Sequence, residues 1–172
     1  MSDEAIIRAA TVGDAEAIAR IHVAAWRAAY AGFIPADFLA ALSEERRAAT
    51  WRRQLQAARE PVFVDEAAGV IRGWIVAGVG RDEDTADACE IHAIYIAPSH
   101  WRQGIGRRLM QRMESALPPS SDLSLWTFRD HAPALRFYAS LDYRMDGTEK
   151  AVERGGATQV QVRLMKLRPN YL

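Results

Sequence analysis

A single cysteine in 172 residues, Cys89, excludes an internal disulfide. Beside Glu90 at the head of an apolar stretch, it reads as a packed thiol rather than a nucleophile. An excess of either charge is also missing: Lys plus Arg and Asp plus Glu number 22 each, which removes the overall positive field that nucleic acid or an anionic membrane would require. No apolar run is long enough to span a bilayer, and the opening MSDEAIIRAATVGD has no basic segment leading into an apolar one, so a cytoplasmic location is expected. Two nucleotide-binding signatures are absent. There is no Gly-x-x-x-x-Gly-Lys-Ser/Thr run, and Leu109 stands where the dinucleotide fingerprint needs its third glycine.

What is present fits one compact domain across residues 1–172: 49% of residues are hydrophobic, 26% are charged, and no composition shift or repeat divides the chain. Ile6 and Ile7 open a short strand, and Thr11-Val-Gly-Asp14 supplies the Ser/Thr-x-x-acid pattern that caps a helix. In the following DAEAIARIHVAAWRAAY, residues Ile18, His22, Ala25, Trp26, Ala29 and Tyr30 recur at spacings of three and four and so share one helical face. His22 is expected to be a satisfied histidine at the edge of the core, while Trp26 and Tyr30 either pack on a sheet or line a site. Gly32 and Pro35 break this helix, and a second helical segment, ADFLAALSEERRAATWRRQL, follows. Pro61–Asp65 and Val70–Val79 make a hairpin, and Gly80–Asp87 is an acidic, solvated connection.

The chain is organised around Cys89–Leu117: an apolar strand, a proline, a turn at Gly104-Ile105-Gly106, and an amphipathic helix with Ile105, Leu109, Met110, Met113 and Leu117 as its stripe. A helix entered through glycines offers unpaired, unshielded N–H groups, a cradle for phosphate, and Arg102, Arg107 and Arg108 add positive charge there. Strand alternation places Glu90, His92 and Ile94 on one face and Ile91, Ala93 and Tyr95 on the other. Glu90 is then either a buried carboxylate able to act as a base or a strand-end carboxylate in solvent. Leu123–Phe128 is a second buried strand, parallel to the first because a helix separates them. A short helix from Pro133 to Leu141 and a hairpin turning at Gly155-Gly156 complete a mixed sheet.

The segment Glu90-Ile-His-Ala-Ile-Tyr-Ile-Ala-Pro-Ser-His-Trp-Arg-Gln-Gly-Ile-Gly-Arg-Arg-Leu-Met resembles the acyl-CoA-binding motif of the GNAT superfamily of N-acetyltransferases. His131-Ala-Pro-Ala-Leu-Arg-Phe-Tyr-Ala-Ser-Leu-Asp-Tyr143 resembles that family's second motif, and the element order matches over nearly the whole chain. The resemblance implies an α/β (α+β) three-layer fold with a central mixed, mostly antiparallel sheet and a splayed parallel strand pair at the CoA site. It implies acetyl-CoA as acyl-donor co-substrate, an amine acceptor, no metal, and direct attack in a ternary complex. By resemblance, Ile94, Tyr95 and Ile96 pair with the pantetheine arm, and the amides of Arg102, Gln103, Gly104, Ile105, Gly106 and Arg107 hold the pyrophosphate. Glu90 matches the base, Tyr138 the acid for the departing thiolate, and the Ile94 N–H the oxyanion donor. His131 stands where Asn usually helps hold the cofactor arm, Trp101 replaces a polar residue opening the phosphate motif, and Asp142 replaces a turn glycine. Trp26, Tyr30, Phe33, Glu90, His92 and the region Glu149–Gly156 are the expected acceptor wall. Family members often form homodimers, and no exposed apolar strand here marks such an interface. A non-catalytic acyl-CoA sensor is the alternative.

Overall fold

The computed structural model describes residues 5–168, so the ends of the expected 1–172 domain lie outside the described residues. Seven strands form one sheet in the order β1-β2-β3-β4-β5-β7-β6, where β1 is Ile6–Ala9, β2 Val62–Ala67, β3 Val70–Val79, β4 Cys89–Ile96, β5 Leu123–Phe128, β6 Arg144–Arg154 and β7 Ala157–Lys166. Only β4 and β5 run parallel; every other neighbouring pair is antiparallel. Helices α1 (Ala15–Ala29), α2 (Ala36–Ala40) and α3 (Glu44–Ala57) precede β2, α4 (Ile105–Ala116) links β4 to β5, and α5 (Ala132–Ala139) links β5 to β6.

Two apolar clusters hold three layers together. On one face, Ile18, Ala19 and Trp51 from α1 and α3 meet Val64, Trp74 and Val76 of the sheet. On the other, the α4 stripe of Ile105, Leu109, Met110 and Met113 meets Ile75, Ile91, Leu123 and Leu125, with Leu135 and Phe137 of α5 packed alongside. Each fully buried Leu or Ile in these layers contributes about 1.5–3 kcal/mol.

Local chemistry sets the element ends. The Asp14 carboxylate accepts from the Thr11 N–H (2.7 Å) and hydroxyl (3.0 Å) and pairs with Arg8, closing the capping box before α1. The expected second helical segment is two helices. Ala41-Leu42-Ser43 separates α2 from α3, and the Ser43 hydroxyl caps α3 by accepting from the Arg46 N–H at 3.2 Å. Arg27 donates to the Leu39, Ala40 and Leu42 carbonyls and so closes the end of α2.

One irregularity repositions the central strand. Val76 pairs with Ala93 but Ala77 pairs with Ile91, so His92 is an extra residue in β4, a β-bulge. The simple alternation expected of Glu90, His92 and Ile94 therefore fails. Ile91 and Ile94 both pack against the α4 cluster, while Ala93 and Tyr95 pack against the α1 cluster.

Candidate active site

β4 and β5 are in register only at Cys89–Leu123, Glu90–Ser124 and Ile91–Leu125, and beyond that point they separate. The gap opens a cleft of about 1020 Å³, lined on one side by Ile91 to Ile96 and on the other by Trp126, Thr127 and Phe128. One end lies at the turn into α4 and the other at the terminal hairpin.

At the α4 end, Gly104 adopts φ +76, which glycine tolerates without strain, and no side chain caps the helix start. Gly106 faces Phe137, whose ring would lie 3.1 Å from an added Cβ. Arg102, Gly104, Ile105, Gly106 and Arg107 all line the cleft; Gln103 does not, and its side-chain amide nitrogen sits 3.5 Å from the Ser99 carbonyl. Arg108 is diverted from the cradle: its guanidinium donates at 2.7 Å to Asp65, a fully buried carboxylate that also receives Arg72. Trp101 folds back to donate from its indole to the Ile96 carbonyl at 2.8 Å, so it braces the turn in place of a polar side chain. Open N–H groups, a glycine entry and cationic side chains suit the pyrophosphate of a CoA thioester.

Ile94, Tyr95, Ile96 and Tyr138 line the middle of the cleft. Burial pushes the Tyr138 hydroxyl well up from the ordinary phenol value, with the neighbouring Tyr95 adding to the shift, so Tyr138 is protonated at neutral pH. His131 also lines the cleft, edge-on to Tyr30 with ring centroids 5.5 Å apart, and burial lowers its pKa. Asp142 takes the left-handed conformation its position requires, at φ +68.

Glu90 is fully buried, which rules out a solvated strand-end carboxylate. Both of its oxygens are engaged. One accepts from the Arg81 N–H at 3.0 Å and the other from the Arg81 guanidinium. Arg81 lines the cleft and Glu90 sits behind it. Nothing in the sequence pointed to Arg81, because it lies in a loop and is brought to Glu90 only by the β3–β4 register, which sets Gly78 opposite Glu90. His92 lines the cleft with Nε2 3.1 Å from the Val79 carbonyl and Nδ1 3.3 Å from Glu60.

Trp26 and Tyr30 line the cleft from α1, and Phe33 packs edge-on to Tyr30 but faces a smaller neighbouring cavity. His22 is buried yet not satisfied: neither ring nitrogen has a partner among the described residues. It stacks on Trp26 and Trp74 with Tyr95 beside it, and burial, assisted by Arg47, lowers its pKa to about 3. The acidic loop is more than a solvated connection. Asp82 accepts from the Trp126 indole at 2.8 Å, and Asp84 pairs with Arg163, which also holds Asp146.

The profile of the acetyltransferase (GNAT) family matches residues 18–143. The chain belongs to that family. It is 30% identical over 135 residues to the uncharacterized N-acetyltransferase YuaI of Bacillus subtilis, covering 77% of this chain and 76% of that one. It is 28% identical over 143 residues to the probable N-acetyltransferase Rv2775 of Mycobacterium tuberculosis, covering 82% and 80%. The fold superposes with a TM-score of 0.72 on yncA, a putative acetyltransferase of Salmonella typhimurium solved with acetyl-CoA, at 21% identity and covering 97% and 95%. Family and fold together make this chain an acetyl-CoA-dependent acyltransferase, with the three layers and the splayed parallel pair that the resemblance implied. Among the described residues no helix is long and apolar enough to cross a membrane, and no cluster of three metal-ligating side chains occurs.

Proposed function

We propose that this protein acetylates the amine of a small acceptor, using acetyl-CoA in a ternary complex and no metal. The observation that carries the reading is the separation of β4 from β5 beyond Ile91 and Leu125, with an uncapped helix start at one end of the opening and a buried carboxylate in the paired rungs where the strands part. Arg102, Gly104, Gly106 and Arg107 hold the pyrophosphate, and the strand edge from Ile94 to Ile96 receives the pantetheine arm. The Ile94 N–H is the oxyanion donor. Glu90 is the base, and because Arg81 stands between it and the cleft, the acceptor proton reaches it through water rather than by direct contact. Tyr138 donates a hydrogen bond to the departing sulfur. Its raised pKa makes it a weaker acid than a thiol of pKa about 8.5, so it stabilises the thiolate more than it protonates it.

A cytoplasmic location and action as one N-acetyltransferase domain belong to the same reading. A purely acyl-CoA-binding role is disfavoured by the family match and by the similarity to proteins named as N-acetyltransferases. The test is CoA release across a panel of amines, with Glu90→Gln and Tyr138→Phe expected to lower kcat by about 100-fold and about 10-fold. Unchanged turnover in both variants overturns the roles assigned here.

A further inference from the structure

Six cationic side chains line the cleft, Arg81, Arg102, Arg107, Arg136, Lys150 and Arg154, and among the described residues no carboxylate does. Arg102 and Arg107 belong to the phosphate cradle proposed above, and Arg136 lines the cleft from α5. Arg81 is neutralised by Glu90. Lys150 and Arg154 remain, at the end of the cleft away from the phosphate cradle.

Strand periodicity puts them there. In Glu149-Lys150-Ala151-Val152-Glu153-Arg154 the basic residues and Val152 face the cleft, while Glu149 turns the other way to Arg129 and Glu153 to the Thr158 hydroxyl. Lys150 lies opposite Gln161, which lies opposite Phe128, and its ammonium sits 3.7 Å above the Trp126 ring. Among the described residues Arg154 donates only to its own strand, to the Glu153 carbonyl at 2.8 Å. Neither has a carboxylate partner among the described residues. The energetic consequence is visible at Lys150: burial lowers its pKa, with Asp82 and Glu90 opposing the shift. An anion delivered to this wall relieves that cost, whereas a polycation is repelled.

We infer that the acceptor is a zwitterion, an amine carrying a carboxylate or equivalent oxyanion a few bonds from its nitrogen, and that Lys150 and Arg154 bind the anionic group. Trp126, Phe128 and the facing Trp26 and Tyr30 give its remaining part an aromatic enclosure. The inference rests on the acetyl-transfer reading above and narrows it from amines in general to the amino-acid class. Polyamines and aminoglycosides are disfavoured by charge, and peptide amino termini without an acidic first residue by the absence of a nearby carboxylate.

The experiment compares each proteinogenic L-amino acid with its carboxamide and its decarboxylated amine, reading both CoA release and calorimetric binding to the CoA-loaded protein. The best acceptor is expected to be a free amino acid, with kcat/KM at least about 10-fold above its amide, and Lys150→Met with Arg154→Met should erase that advantage through KM. Lys150→Arg should restore much of it, and the KM for acetyl-CoA should stay the same, which separates this result from a folding defect. An amide or bare amine used as well as the acid, or an advantage that survives the double variant, overturns the inference while leaving acetyl transfer intact. If no amine is turned over although CoA binds, the acetyl-transfer reading fails; the calorimetric arm still decides the anion site, which falls if the acid and its amide bind alike.

Discussion

The Glu90 carboxylate is held by Arg81 twice over, once by the backbone N–H at 3.0 Å and once by the guanidinium. The carboxylate is fully buried, whereas 57% of the Arg81 side chain is exposed, so solvent screens one partner and not the other. Arg81→Met strands a buried charge on a single backbone donor. It is expected to cost about 1–3 kcal/mol, less than a fully buried pair would lose because Arg81 is wet. Adding Glu90→Gln removes the stranded charge, and a double-mutant cycle by thermal melting should show the two effects to be strongly non-additive. Additive losses would mean that the pair contributes nothing as a pair.

Gly106 and Phe137 meet where α4 and α5 flank the cleft, with the ring 3.1 Å from where a Cβ would lie. Gly106→Val should destabilise the protein by about 1–3 kcal/mol and weaken CoA binding at least about 10-fold. Adding Phe137→Leu should recover the melting temperature but not the affinity, because the valine still stands over the phosphate cradle. Recovery of both would reduce the glycine to a packing requirement.

His22 ties stability to pH. Its folded pKa of about 3 lies below the ordinary value of 6.5, so between these limits the unfolded chain binds more protons and stability falls as pH falls. The contribution is complete above about pH 6.5. From pH 7 to pH 5 the loss from this one residue is about 2 kcal/mol. His22→Phe keeps the stack on Trp26 and Trp74 and removes the titration. Its melting temperature should therefore drop less than that of the native protein over the same interval; an equal drop would place the acid sensitivity elsewhere.

Much of this was legible in the chain. The Thr11–Asp14 box, the α4 stripe and the Gly104–Gly106 entry are local patterns whose physics acts within one turn, and each appears where the residues put it. The break between α2 and α3 was also written, in Ser43 ahead of Glu44, but no glycine or proline marks it. The β-bulge at His92 left no trace, since Glu-Ile-His-Ala-Ile gives no sign of which residue has been pushed out of register. Arg81 was invisible for a different reason: its value lies in a partner nine residues on, across a hairpin. Lys150 and Arg154 were readable as period-two basic residues, but their meaning depended on knowing which face of β6 looks into the cleft.

The three-rung contact between β4 and β5 divides the sheet into a half of four strands and a half of three. Trp26 packs beside Tyr95 of the first, Lys150 and Arg154 extend from the second, and Tyr30 spans the two between Tyr95 and Phe128. The spacing between these opposing surfaces is set by the three rungs from Cys89–Leu123 to Ile91–Leu125, the narrowest joint in the sheet, and by the Tyr30–Phe128 contact that spans it. An acyl donor wedged beyond that joint acts as a spacer that fixes the width available to the acceptor. Dead-end inhibition patterns are therefore expected to show ordered addition, with donor before acceptor.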